Sequence, residues 1–330
     1  MYPEELQVIA PGRICLFGEH QDYLRLPVIS AAISLYIKVV AKKINERILK
    51  IDLLNFSQQE QIPLQNQEVQ YQYARDYLRS SYNLFIRKGY RLTQGYYCQI
   101  EGNIPINAGV ASSSAFIIAW ITFLSHIFQA NLTPTQIAEI GYQAEVDEFR
   151  EAGGRMDHYT AALGGLLYLT TRPPYTAERL DASLSGFVLG DSLQRKNTVA
   201  DLMRIRKRVQ IGISQLRKYY NDFDLQHTSL QEIESYLSLL SPTIANSIIA
   251  NVINRDLTQE ARKVLSSQNF SPEVLGKLLN LHHTQLATNL GISTPKIEQL
   301  ITAAKKAGAL GCKINGSGSV SYTHLTLPTN

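Results

Sequence analysis

Cysteine is scarce in this sequence, with three among 330 residues. Cys15, Cys98 and Cys312 lie far apart and form no CxxC pair. That excludes a disulfide scaffold and gives no sign of a sulfur-based zinc site. Long apolar runs are missing as well. The longest, residues 115–124, is interrupted by Thr122 and falls short of the roughly 18 residues a membrane span needs. The opening MYPEELQVIAPGR carries acids early and has no apolar core, so it does not read as a signal peptide. The net charge of +4 is too small to demand a nucleic acid or an anionic membrane as partner. Internal repeats and low-complexity linkers are also absent. These absences leave a soluble protein of a reducing compartment, expected in the cytoplasm.

What is present is an ordinary globular balance of 45% hydrophobic and 18% charged residues, which rules out wholesale disorder. A chain of this length suggests two domains. Residues 33–40 (ISLYIKVV), 49–54, 96–101, 166–170 and 187–190 read as strands. Residues 73–88 have helical apolar spacing, and 112–129 read as a buried apolar helix. Thr133-Pro134-Thr135-Gln136 is a capping box with proline at the first helical position. That helix is expected to run to about Glu151 and stop at Gly153-Gly154. After Asp191 helical patterns dominate, at 200–219, 229–239, 259–267, 272–281 and 294–307, before a short strand at 312–315. Strands and helices without regular βαβ alternation point to the α+β class.

Three segments carry chemistry. In residues 10–23 (APGRICLFGEHQDY), Arg13, Glu19, His20 and Asp22 crowd around a small-residue turn. Carboxylates accept from hydroxyls and arginine donates in a fixed fork, so this set can grip a polyhydroxylated ligand. A solvated surface turn is the plain alternative. In residues 104–116 (IPINAGVASSSAF), small and hydroxyl residues open the apolar helix. Backbone N–H groups there make an anion site, and a serine hydroxyl can reach Mg²⁺. The plain alternative is a loop with a serine cap; no GK[ST] follows, so it is not a Walker A loop. The third segment is residues 144–165, in which Glu145 and Phe149 share a helix face with Ala138, Gly141 and Tyr142 before it. An acid on such a face is paired or holds a metal. Asp157, after a Gly-Gly stop, either is held against a substrate or caps the next helix. His282-His283 lacks a cysteine or acid at ligand spacing and reads as structural or exposed. Trp120 reads as core. A phosphate-cradling helix start, a magnesium-type acid and a positioned aspartate together suit phosphoryl transfer from ATP to a hydroxyl.

With these segments in view, the sequence resembles the GHMP kinases, the family of galactokinase, homoserine kinase, mevalonate kinase and phosphomevalonate kinase. Its third motif looks like residues 308–318, GALGCKINGSG. GRICLFGEHQDY and the Met156-Asp157 pair resemble the galactokinase branch. The resemblance implies a two-domain α+β fold: a ribosomal S5 domain 2-like N-terminal domain over residues 1–190 and a ferredoxin-like C-terminal domain over 191–318. It also implies an ATP- and Mg²⁺-dependent kinase that phosphorylates a sugar hydroxyl, the anomeric 1-OH. Asp157 would be the catalytic aspartate and Arg13 its partner. Glu19, His20, Asp22 and the Gly154 backbone would bind the sugar. Gly109, Val110, Ala111, Ser112, Ser113 and Ser114 would wrap the ATP phosphates, and Gly316 and Gly318 would close over them. Ser113, with or without Ser112, and Glu145 would hold Mg²⁺. The partners implied are a small sugar and ATP, with neither nucleic acid nor membrane.

The sequence departs from the family pattern in three places. Asp22-Tyr23-Leu24-Arg25-Leu26 stands where galactokinases continue Asp-Tyr-Asn-Gly-Gly. Residues 191–208 resemble the segment that supplies a sugar-contacting tyrosine, and the matching position looks like Arg204. A cation there suits a more acidic sugar; residues 204–208 as a solvated helix face are the plain reading. Residues 319–330 (SVSYTHLTLPTN) look similar to a foreign tail, which would leave one sheet edge of the second domain exposed. Retained Arg13, Glu19, His20 and Asp22 argue against a mevalonate-type kinase. Intact Asp157, Glu145 and Ser113 argue against a non-catalytic sugar sensor.

Overall fold

The structure, a computed structural model, describes residues 2–106, 108–182, 184, 186–193, 198–316 and 321–325. Its strands and helices in chain order are β1 (Glu5–Phe17), β2 (Val28–Ile44), β3 (Ile48–Leu53), β4 (Gln58–Pro63), α1 (Tyr77–Arg87), β5 (Gly95–Gly102), α2 (Ser112–Ile127), α3 (Pro134–Tyr142) and α4 (Met156–Leu163). Then follow β6 (Leu166–Thr170), β7 (Thr176–Arg179), β8 (Phe187–Asp191), α5 (Thr198–Leu216), α6 (Leu230–Leu237), α7 (Pro242–Leu265), α8 (Pro272–Thr284), α9 (Pro295–Lys306), β9 (Gly311–Asn315) and β10 (Ser321–Leu325).

The first sheet has the order β4-β3-β5-β2-β6-β7, with β1 added on β2. β1 follows nearly the whole of β2, antiparallel, with register shifts at Pro11/Arg13 and Cys15/Phe17. α2 is apolar on almost every side and is buried accordingly. It packs on β1 and β2. Trp120 is fully buried and its Nε1 donates to the Leu78 carbonyl at 3.1 Å. The core is continuous with the second half: Leu265, Leu275 and Leu279 of α7 and α8 join the cluster that holds α2 and the sheet. Cys15, Cys98 and Cys312 are buried free thiols.

Several expectations need correction. Residues 10–17 are the end of β1, and the turn expected within residues 10–23 follows it at residues 19–21. Pro11 sits at a register shift, where a missing N–H costs nothing. Gly12 is required because a Cβ there would lie 2.9 Å from the Val110 carbonyl oxygen. α1 starts at Tyr77, capped by Asp76, whose side chain accepts from the Arg79 amide. α3 begins at the expected capping box. Its α-helical part ends at Tyr142, and a π-helical turn, Gln143–Asp147, carries the chain on. α7 is far longer than the expected 259–267 because its buried face includes Asn251, Asn254 and Arg255. Such a face has no clean apolar period.

The chain changes sheet before residue 191, since β8 already pairs with β10 in a second, three-stranded sheet of order β8-β10-β9. The expected open edge is also corrected. Ser321–Leu325 pairs antiparallel with both β8 and β9. A ladder binds backbone amides and carbonyls, so a short segment rich in aromatic and β-branched residues fills the slot whatever its origin. The rest of the expected tail lies outside the described residues.

One buried ion network braces the N-terminal half. Arg79, on α1, donates to Asp76 at 2.9 Å and to Glu60 of β4 at 2.8 Å, and all three side chains are less than 8% exposed. Removing the cation leaves two buried carboxylates uncompensated, at about 3–5 kcal/mol. Arg79→Met is therefore expected to lower the urea midpoint of unfolding sharply. Lys263→Ala, in a pair whose lysine is 75% exposed, should move it by less than about 1 kcal/mol equivalent.

Candidate active site

The functional candidates converge on one cleft of about 570 Å³, a size suited to a small-molecule site. Arg13, on β1, points at α4. Its Nε and Nη2 donate to the two carboxylate oxygens of Asp157 at 2.7 and 2.8 Å. Its Nη1 donates to the Gly109 carbonyl at 2.6 Å. Two parallel bonds of this kind fix both planes. Burial works against the Arg13 cation, but Asp157 outweighs it and raises the guanidinium further above its ordinary value. Asp157 is not a helix cap. It lies in the first turn of α4, where Arg155 is the capping position and no side chain caps. Arg155 itself is clamped between the rings of Tyr142 and Tyr175, at 3.9 and 3.8 Å from their centroids. That clamp sets the start of α4.

The ligand end of the cleft is formed after β1. His20 has φ +62°, an uncommon conformation that clusters at functional sites. Its Nδ1 lies 3.0 Å from the Tyr23 hydroxyl. Asp22 accepts from the amides of Tyr23 at 2.9 Å and Met156 at 3.3 Å. Burial first, and then the nearby Asp157 charge, push the Asp22 carboxyl up to about 6 against those amides. Gly154 faces it closely: a Cβ there would lie 2.0 Å from an Asp22 carboxylate oxygen. Glu19 lines the cleft but is bound to Lys313 of β9, at 2.9 Å, with both side chains nearly inaccessible.

The other end is formed by the start of α2. Ala111 is the capping residue, with φ +59° and no side-chain cap bond. The serine-cap alternative is thereby removed. Ser112, Ser113 and Ser114 line the cleft in the first helical turn, next to amides that carry a partial positive charge. Ser114 Oγ donates to Glu145 Oε2 at 2.8 Å. Burial alone would raise the Glu145 carboxyl, but hydrogen bonds from His158, Ser113 and Ser114 hold it below its usual range. An ionised carboxylate beside cleft-facing hydroxyls is a hard oxygen set that fits Mg²⁺ accompanied by phosphates.

Gly316 closes the cleft from β9. Its φ is +70°, and a Cβ would lie 2.7 Å from the Gly109 Cα, so only glycine allows this approach. Val110 is buried rather than lining, and its carbonyl accepts from the Arg13 amide at 3.1 Å. Gly318 lies outside the described residues. Among the described residues that line the cleft, α5 contributes Leu202 and not Arg204, which is exposed on the helix. One helical turn separates positions that can share a face, and two residues do not. His282 and His283 are buried: His282 stacks on Phe17 at 5.7 Å, and His283 Nε2 lies 3.1 Å from Glu298. No metal-type cluster of three or more histidine, cysteine or acidic side chains occurs among the described residues, and no described helix is long and apolar enough to cross a membrane.

Sequence reasoning missed Lys313, Asn315 and His158. Lys313 donates to the Cys15 carbonyl at 2.7 Å as well as to Glu19. Asn315 accepts from the Cys15 amide and donates to the Gly109 carbonyl, both at 2.8 Å. A lysine and an asparagine inside a short, otherwise apolar strand were the available signal.

Residues 73–165 match the GHMP kinases N terminal domain, residues 2–43 the galactokinase galactose-binding signature, and residues 264–323 the GHMP kinases C terminal domain. A mevalonate kinase of Thermococcus sibiricus is 28% identical, across 97% of this chain and 88% of its own length. A galactokinase of Staphylococcus saprophyticus is 25% identical, across 95% and 83%. Among solved structures, Lactococcus lactis galactokinase complexed with galactose gives a TM-score of 0.87 at 21% identity, covering 98% of this chain and 86% of that one. Methanococcus jannaschii mevalonate kinase gives 0.72 at 19%, covering 98% and 91%. The structural likeness establishes the two-domain α+β fold. With three family segments in order along one chain, and their residues meeting in one cleft, the protein belongs to the GHMP kinase family, phosphotransferases that take an alcohol group as acceptor.

Proposed function

We propose that the protein transfers the γ-phosphoryl group of ATP to a sugar, at its anomeric 1-hydroxyl. The observation that carries this reading is the bidentate Arg13–Asp157 pair at the meeting point of the two cleft ends. Its neighbours on one side, His20 and Asp22, suit hydroxyl recognition; the α2 amides and serines on the other suit phosphates. The matched galactose-binding signature and the galactokinase relatives support a sugar over another alcohol. Four features favour catalysis over passive sugar sensing: Asp157, Arg13, Glu145 and the serine-rich helix start are all present in one cleft.

In this reading the acceptor hydroxyl donates its proton to an Asp157 carboxylate oxygen as its oxygen attacks the γ-phosphorus, and the bond from that phosphorus to the bridging oxygen breaks to release ADP. Arg13 holds that carboxylate in one plane and keeps a cation beside the charge on the transferring group. Glu145 and Ser113 would hold Mg²⁺, which supplies neutralisation of the phosphate oxygens when bound. Asp22, His20 and the Gly154 segment orient the sugar. The cytoplasm, where ATP is available, is the proposed compartment.

Asp157→Ala is expected to lower kcat by about 10²–10⁴-fold while a non-hydrolysable ATP analogue binds within a few-fold of the native affinity. Retained turnover would remove Asp157 from the chemistry. The acceptor is identified by ADP release across hexoses, pentoses, uronic acids and mevalonate. Turnover of mevalonate without any sugar would overturn the substrate class.

Asp22 gives a pH signature. Its ionised form is the stronger acceptor for a hydroxyl, and its carboxyl sits at about 6. Lowering the pH through that value should therefore raise the sugar KM, by up to about tenfold per pH unit. Asp22→Asn should be weak and flat over the same range. A flat KM in the native enzyme from about pH 5 to 8 would exclude Asp22 as the acceptor. Gly154→Ala should raise the sugar KM too, because the new methyl group displaces Asp22, with little change in nucleotide affinity.

A further inference from the structure

We propose that His158 is a positioning residue for the cation site: its imidazole holds Glu145 so that the carboxylate is presented to Ser113 and the divalent ion. The proposal rests on the phosphoryl-transfer reading above. Glu145 Oε2 receives two donors, Ser114 Oγ at 2.8 Å and His158 Nε2 at 2.7 Å. An ionised carboxylate can only accept, so the ring proton sits on Nε2. Nδ1 has no hydrogen-bond partner among the described residues. The ring thus directs its Nε2–H at Glu145. Two donors on one oxygen fix the carboxylate plane, as outer partners do for metal ligands generally.

The ring occupies a prepared slot. His158 is 2% exposed. Tyr142 meets it edge-on, with centroids 5.8 Å apart and planes at 83°. Opposite lies Gly141, where a Cβ would come within 3.2 Å of His158 Cδ2 and 2.6 Å of Ile118 Cδ1. The glycine leaves the space that the ring needs. His158 also directly follows Asp157 in the first turn of α4. Adjacent residues of one helical turn therefore serve both parts of the site, Asp157 toward Arg13 and His158 toward Glu145. One peptide unit fixes the spacing between Asp157 and the residue that positions the cation ligand. A mere core histidine would not need its N–H aimed at a carboxylate that lines the cleft.

The test is calorimetric binding of a non-hydrolysable ATP analogue to the full chain across a Mg²⁺ series, and once in EDTA. His158→Ala is expected to raise the half-saturating Mg²⁺ about tenfold or more, the usual cost of losing an outer partner, with affinity in EDTA within about twofold. His158→Gln, which keeps an N–H donor of similar reach, should recover most of the loss. If the alanine variant does not fold, His158→Gln against His158→Asn carries the comparison, since asparagine has the donor without the reach. An unchanged Mg²⁺ dependence in His158→Ala overturns the proposal. So does an equal fall in EDTA affinity and thermal midpoint that glutamine does not rescue, which marks a structural role. If the native protein itself binds the analogue without any Mg²⁺ dependence, the cation assignment to Glu145 fails, and the proposal with it.

Discussion

A buried guanidinium must be paired, and the pairing of Arg13 organises this molecule. Arg13 is 6% exposed, so its charge would be costly without partners. It finds them 144 residues away in Asp157 and 96 residues away in the Gly109 carbonyl. One side chain thereby ties a strand, a helix start and a glycine turn to common coordinates. The strand must deliver it at the right height. The register shift between Pro11 and Arg13 in β1 is where that adjustment occurs, and the amide of Arg13 bonds to Val110 beside it. The loop and the strand are thus stitched by backbone and side chain together.

The second half of the chain reaches the same point. The Gly109 carbonyl accepts from Arg13 and from Asn315 of β9. Asn315 also holds the Cys15 amide, and Lys313 holds the Cys15 carbonyl and Glu19. β9 therefore grips β1 through polar bonds in a place where water is excluded. Buried polar networks of this kind add little net stability against apolar packing, but they are costly when half made. That asymmetry favours one arrangement of the two halves over near alternatives. It also accounts for Glu19: its carboxylate is part of the brace as well as the cleft wall. The close approach of Gly316 to Gly109 completes the contact, with no side chain between the two backbones.

What the sequence disclosed, and what it hid, follows from where the information lies. Local chemistry was legible. Thr133, Pro134 and Gln136 announce a helix start by bonds made within four residues, and α3 begins there. The apolar run of α2 announces burial, and Trp120 is buried. Arg13, Asp22, Ser113, Glu145 and Asp157 were legible as a set because their residue types and order resemble a family pattern. The failures share one cause. Pro11-Gly12 looks like a turn unless the neighbouring strand and the Val110 carbonyl are known. Asn251 and Arg255 look like a solvated face unless their buried partners are known; Arg255, for instance, bonds to the Leu225 and Thr228 carbonyls. His158 looks like an incidental neighbour of Asp157 until the fold brings Glu145 to it. Leu202 displaced Arg204 because helical phase, set by packing of α5 on α7, decides which side chain meets the cleft.

The two aspartates of the cleft show how one fold separates roles for like groups. Asp157 lies close enough for its charge to disfavour ionisation of Asp22, and in the proposed mechanism their differing environments divide the work. Asp157 faces a full cation held in a fork, and it is partly open to the cleft. Asp22 is half-buried and has two backbone amides. In the proposed mechanism the first environment orients the carboxylate that a hydroxyl approaches. The second suits a carboxylate that receives a hydroxyl and goes no further. The segment between them, Gly153-Gly154, must be bare to keep the two apart without filling the space a ligand needs. Arg155, clamped between Tyr142 and Tyr175, then fixes where α4 begins. In the proposed mechanism, position distinguishes the proton acceptor from the binding group.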